Sequence, residues 1–294
     1  MLFWGSIAGV PPGETPHPSF QGWVTAYTSA DTYSAFANTL ALSLIRAIIS
    51  VALAIFFAWV LTRTDVPHRK ALQLMLIAPF AVPPLLLTIA WSLLASPNAG
   101  LLNVWWRDAF DVAKGPFNVY SYGGIVWVGT ISFVSIKIML LMPAFHAMDA
   151  TLEESSTMSG ASKLSTFVHV TLPLMLPAIL GVFILSFIRF MESFETELFL
   201  GAPAHIYVFT TLIFTLLTTF PVKYPPAMAL AVSLLVLTFF LAVGQARLLG
   251  GKRYTTVSGK SFRTHPTPLG VWRWPIFSLC VLFFVVAFLL PLLT

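Results

Sequence analysis

Charge is scarce in this sequence. Only 9% of its 294 residues are Asp, Glu, Lys or Arg, where a soluble domain carries about 25%. A chain of this length would therefore lack a polar surface in water. Cysteine is almost absent: the single thiol, Cys280, excludes an internal disulfide and a cysteine-based zinc site. Its place in an apolar run marks it as a small buried hydrophobe. No Lys or Arg occurs in residues 11–39. Residues 1–10 also lack the basic start of a cleavable signal peptide, and Pro11, Pro12 and Gly13 break the run early. The net charge of +5 is small and scattered, which argues against a nucleic-acid partner. His146, His169 and His205 are not spaced as a metal cluster, and no metal, catalytic or cofactor site is expected.

Apolar residues are abundant, at 57% of the chain, and the mean hydropathy is +0.86. Lipid removes the need for a charged face, because a helix satisfies its own backbone polar groups there. Runs near the ~20 residues that cross a bilayer fall at 38–61, 72–95, 123–147, 174–194, 225–248 and 274–293. These predict an all-α transmembrane fold of about six spans. The run 206–220 is shorter and threonine-rich, and reads as a short outer helix or a re-entrant element.

Basic residues set the orientation. Arg63, Arg69 and Lys70 follow the first run. Lys163 follows the third, and Arg247, Lys252, Arg253, Lys260, Arg263 and Arg273 cluster after the fifth. All fall on one side, which is therefore cytoplasmic; the other holds Arg107, Lys114 and Lys223. The N-terminus is then outside, with residues 1–37 as an extracytoplasmic leader. A polar outward leader without a signal peptide, and an apolar run closing at Thr294, read as a chain cut at both ends. On that expectation residues 1–7 are the tail of an upstream span.

Between the third and fourth runs, on the cytoplasmic side, lies a loop from Asp149 to Pro177. Residues 150–159 read as a short polar helix ended by Gly160, a residue suited to a left-handed cap. Ser162 caps a second helix running through Phe167 and Val170, and Pro173 and Pro177 restart the membrane span. Such a helix–turn–helix is too short to fold alone and is a candidate docking surface. Its residues resemble the Glu-Ala-Ala loop of ABC importer permeases. That pattern runs Glu-Ala-Ala, three residues, Gly, nine residues, Ile, one residue, Leu-Pro. Here Glu154-Ser155-Ser156, Gly160, Val170 and Leu172-Pro173 stand at the same spacing. Serines replace both alanines and valine replaces isoleucine.

The resemblance implies a type I importer permease, a five-helix core with one additional C-terminal span, in the bacterial inner (plasma) membrane. It implies that residues 149–173 are the coupling loop, which seats in a groove of a separate ABC ATPase subunit. Glu153, Glu154, Ser155, Ser156, Gly160, Val170, Leu172 and Pro173 are then the coupling residues, with Glu154 as the charged contact. An extracytoplasmic substrate-binding protein, a second permease half and membrane lipid are the other implied partners. Gly259-Lys260-Ser261 looks like the end of a nucleotide-binding loop, but the glycine required at 254 is Tyr254. Hydrolysis is accordingly expected on another chain.

Charges within apolar runs are costly and mark function by default. Arg46 lies about two turns into its run and reads as reaching toward the interface. Lys137 sits near mid-span, where pairing across the bundle and a place on the translocation path both fit. Arg189, Glu192 and Glu195 recur every three residues, which would place them on one helical face. The plainer reading is an Arg189–Glu192 pair with Glu195 and Glu197 solvated; the other is a cargo pathway.

The basic stretch 249–273 reads as a linker joining the permease domain, 38–248, to 274–294. The segment from Phe190 to Pro203 resembles fused ferric-iron-type permeases, in which two halves share one polypeptide. On that basis 274–294 is the first span of a second half and iron(III) is the preferred cargo. Putrescine/spermidine, thiamine, phosphonate and sulfate permeases remain open, as does a secondary transporter or channel.

Overall fold

A computed structural model describes residues 2–7, 18–250 and 267–293. Residues 8–17 of the leader, the linker residues Lys252, Arg253, Lys260 and Arg263, and the Gly259-Lys260-Ser261 stretch lie outside the described residues. Helix dominates the rest, and an isolated bridge between Thr64 and Thr267 is the only β pairing among the described residues. Four helices are long and apolar enough to cross a membrane: Ala30–Arg63, Leu164–Met191, Tyr224–Leu248 and Gly270–Leu292. Three bent helix pairs raise the total to seven if each counts as one span.

The bent pairs correct two expected continuous spans. The run 72–95 is broken into Arg69–Ile77, a 3-10 turn Ala78–Ala81 and Pro84–Ala95. Val82 is extended (φ −87°, ψ 120°), because Pro83 removes a backbone donor and disfavours helical geometry in the residue before it. The run 123–147 is broken at Phe133 (φ −122°, ψ 6°) into Tyr122–Ser132 and Val134–Ala147. The run 206–220 forms the second arm of a bent helix pair, Glu197–Ala204 and Phe209–Thr218, with 77° between the arms. His205 makes the reversal at φ 57°.

The chain divides into two compact units. One comprises Met1–Ala47, Pro84–Gly129 and Phe187–Gly244. Its helices meet through small residues, with Ala26, Ala35 and Ala229 buried beside Phe209, Leu212 and Leu230. In lipid, helix association depends on such close packing, since no hydrophobic gain separates lipid from neighbour. Gly22 shows the constraint: a Cβ there would stand 2.7 Å from Pro225 Cβ. An amphipathic helix, Leu101–Phe110, lies in the connection after Pro84–Ala95. Asn103 staples that connection, donating to Ser96 O (2.8 Å) and Phe117 O (2.7 Å) and accepting from Phe117 N (3.0 Å).

The other unit comprises Ile48–Pro83, Thr130–Ser186 and Gln245–Thr294. Its core gathers Phe57, Leu61, Leu72, Leu76, Ile138, Leu141 and Phe145. The helix Arg273–Phe284 enters the same core through Cys280, and Phe283 stacks 4.8 Å from Phe57. Asp65 accepts from Leu269 N at 2.6 Å and fixes the entry to that helix. The additional C-terminal run thus packs on residues of the first run.

Candidate functional site

The Asp149–Pro177 loop is built as a closed helical hairpin. Asp149 is extended (φ −68°, ψ 122°) and its carboxylate accepts from Thr151 N at 2.9 Å, so it caps the helix Ala150–Met158 in the ordinary way for aspartate. At the other end Gly160 takes φ +87°. Gly160 N donates to Thr157 O (3.0 Å) and Ala161 N to Ser156 O (3.2 Å). Those two bonds form a complete Schellman closure, which needs a left-handed residue at that position. A Cβ on Gly160 would meet nothing within 4 Å, so backbone conformation, not space, requires glycine. Ser162 Oγ then accepts from Ser165 N at 3.2 Å, opening the second turn.

The return to the membrane differs from expectation in one respect. The prolines do not restart the span; helix continues through them. A π turn, Phe167–Thr171, leads into Leu172–Met191, with Pro177 inside the helix. Pro173 has no N–H to give to the preceding turn, and the widened turn before it absorbs that loss.

Three side chains fasten the hairpin to the membrane helices. Arg63, at the end of Ala30–Arg63, is 3% exposed. Its Nη2 donates to Met148 O at 2.6 Å, and its Nη1 stands 3.8 Å from Glu153 Oε2. Thr171 Oγ1 donates to Glu153 Oε1 at 2.6 Å. A guanidinium at the end of Val134–Ala147 also meets the negative end of that helix. Trp59 packs edge-on to Phe167 at 5.3 Å. Within the hairpin, Ser155 Oγ donates to Thr151 O (2.7 Å), and Ser156 Oγ joins Thr166 Oγ1 (3.0 Å) across the two helices. Val170 and Leu172 are half-buried and Pro173 is exposed.

Of the two adjacent glutamates, only Glu153 turns inward. Glu154 is exposed, and Leu152, Met158, Leu164 and Val168 are exposed with it, Met158 at 88%. Sequence reasoning assigned the coupling residues but missed Arg63, Trp59 and Thr171. A basic residue closing an apolar span beside an acidic loop was the available signal for Arg63.

The charged residues expected along the membrane spans fall out differently. Lys137 is 3% exposed; its ammonium donates to Phe133 O (3.2 Å) and lies 5.6 Å from the Phe133 ring. Arg189 and Glu192 form an exposed pair at 3.9 Å. The expected common face does not extend to Glu195, because the helix ends at Met191 and a break precedes Glu195. Glu195 is exposed, but Glu197 is fully buried and paired to Arg46 at 2.5 Å. Arg46, read as reaching toward the interface, is 1% exposed. Burial without a partner would cost each charge several kcal/mol, so the two charges meet instead.

Sequence relatives carry one description throughout. The chain is 28% identical over 228 residues to the ferric transport system permease protein FbpB of Actinobacillus pleuropneumoniae, covering 77% of this chain and 32% of that protein. It is 26% identical over 216 residues to the sulfate transport system permease protein CysT of Escherichia coli K12, covering 73% of this chain and 75% of that one. With the molybdenum transport system permease protein ModB of the same organism it shares 27% identity over 157 residues, covering 53% and 66% of the two chains. A bacterial alginate ABC transporter, crystallised with an alginate pentasaccharide-bound periplasmic protein, has a chain of the same fold. The TM-score is 0.67 at 19% identity, over 82% of this chain and 85% of that one.

In sequence and in fold the chain is similar to ABC importer permeases.

It matches no family model, and it spans about a third of the length of the ferric permeases it matches. The family's all-α membrane fold is present, with the loop between two membrane helices.

Proposed function

We propose that this permease forms one membrane half of an ATP-driven importer in the bacterial plasma membrane, and that the hairpin 149–173 docks a separate ATPase subunit. The observation that carries this reading is the division of labour at Glu153 and Glu154. Glu153 is held by Arg63 and Thr171, so the hairpin is fixed to the membrane helices. Glu154 is left outward with Met158 one turn further on the same face, and Leu152 and Leu164 are also substantially exposed. An exposed apolar patch carrying one charge suits a protein partner, and a rigid mount lets the partner's movement reach the spans. An extracytoplasmic binding protein and a second permease half complete the assembly.

The cargo is a small inorganic ion, and iron(III) is preferred because the ferric permeases match over 77% of the chain. Sulfate is the second reading, supported by a relative matched over 73% of the chain. Uptake of labelled iron(III), sulfate and molybdate by cells with and without the transporter decides between them. For coupling, Glu154→Lys is expected to abolish co-purification of the ATPase and cargo uptake while the permease remains in the membrane. Retention of both in that variant would remove the docking role from the hairpin.

A further inference from the structure

Arg46 and Glu197 are buried as a pair, at 1% and 0% exposure and 2.5 Å apart. The surroundings fit the guanidinium closely. Its Nε donates to Leu42 O (3.1 Å) and its Nη2 to Phe190 O (3.4 Å), and it lies 4.8 Å from the Phe190 ring centroid. A Cβ on Gly129 would stand 2.7 Å from Arg46 Cδ, so glycine there makes room for the side chain. An apolar pair of similar volume usually stabilises as well as a buried ion pair or better. Stability alone therefore does not account for two charges here, whereas a fixed geometry does.

The pair sits in a network that reaches both arms of the bent pair Glu197–Ala204 and Phe209–Thr218. Glu197 opens the π turn Glu197–Gly201, a widened turn of the kind found often at functional sites. Its Oε2 accepts from Ser193 Oγ (2.7 Å), and Ser193 O accepts from Thr210 Oγ1 (2.6 Å) on the second arm. Two turns earlier on the arginine's helix, Asn38 Nδ2 donates to Tyr207 O (2.9 Å), and Thr39 Oγ1 accepts from Phe209 N (2.8 Å). Between that helix and the reversal at His205 opens a polar groove of about 420 Å3. Asp31, Ser34, Asn38, His205, Tyr207 and Thr215 contribute to its lining.

We propose that the Arg46–Glu197 pair is a positioning latch: it holds the bent helix pair 197–218 against the first long helix and so sets the opening of this groove. The charges themselves are required, because the guanidinium, held by Leu42 O and Phe190 O, fixes the carboxylate in distance and direction through a charge-assisted bond. In the importer the latch keeps the groove at the width that cargo-stimulated transport needs, and this last step rests on the permease reading above.

The test measures the groove directly, by pulsed electron resonance between spin labels at Ser34→Cys and Thr215→Cys, in the full chain carrying Cys280→Ala. The native pair is expected to give one narrow distance distribution. Glu197→Gln is expected to broaden and lengthen it, and Arg46→Lys, which keeps the charge, to shift it less. Where Glu197→Gln does not fold, the neutral pair Arg46→Gln/Glu197→Gln serves, since it leaves no lone buried charge. That variant is expected to melt within a few degrees of native, keep the broad distribution, and lower cargo-stimulated transport at least tenfold while the ATPase still docks. A narrow native-like distribution in the neutral pair, or native transport by it, would overturn the latch. If the ATPase fails to dock even on the native chain, the coupling reading falls, while the label distances still judge the latch.

Discussion

Replacing Gly160 by alanine isolates one backbone angle. Gly160 stands at φ +87°, and an added Cβ meets no atom within 4 Å. The cost is therefore conformational, about 1–2 kcal/mol for a side-chain-bearing residue held left-handed. The two closing bonds, Gly160 N to Thr157 O and Ala161 N to Ser156 O, exist only with that angle. Opening the hairpin relieves the strain, and if the ATPase docks on the closed form, as proposed, the cost appears as lost affinity. At about 1.4 kcal/mol per tenfold, Gly160→Ala should weaken ATPase docking about five- to thirtyfold. Titration of the purified ATPase onto the full permease in nanodiscs measures it. Gly160→Asn should recover most of the loss, because asparagine tolerates the left-handed region, and Gly160→Val should do worse than alanine. Equal affinities for all four residues, or asparagine no better than alanine, would refute the reasoning.

Glu153→Gln removes the charge that Arg63 and Thr171 hold; hydrogen bonds to charged groups contribute about 1.5–3 kcal/mol. Amide exchange across residues 150–171 should accelerate accordingly, whereas Glu154→Gln should leave it unchanged. Asn103→Leu leaves the Phe117 N–H and carbonyl without their Asn103 partner, while Ser96 O keeps its bond from Gly100 N; an unpaired group costs up to about 1–3 kcal/mol when buried. The thermal midpoint of the detergent-solubilised chain should fall, with ATPase docking preserved.

What could be read from the residues depended on how local the cause was. The helix Ala150–Met158, its glycine closure and the Ser162 cap follow from neighbours in sequence, and the structure places them where the pattern indicates. Long uniform runs likewise give their helices, as at Tyr224–Leu248. The break at Val82 was legible in the two prolines that follow it, yet hydropathy averages over such a break. At Phe133 neither proline nor glycine marks the interruption, and tertiary packing decides it. The pairing of Arg46 with Glu197 joins segments far apart in sequence. A spacing rule assigns partners only within one helix, which is why Glu197 read as solvated and Glu195 as sharing a face with Arg189.

The same distinction explains why two neighbouring carboxylates in the hairpin do different work. Successive residues on a helix point about 100° apart, so Glu153 and Glu154 cannot both face the membrane helices. Once Arg63 reaches past the end of Val134–Ala147 to Met148 O, the near carboxylate is committed to it. The other is left on the outer surface with Met158, one turn on along the same face. A single glutamate could anchor the hairpin or meet a partner, but a partner that drew on the anchoring charge would loosen the mount it depends on. Two glutamates in sequence separate those demands. The helical repeat, not the identity of either residue, makes a rigid docking element possible on so short a loop.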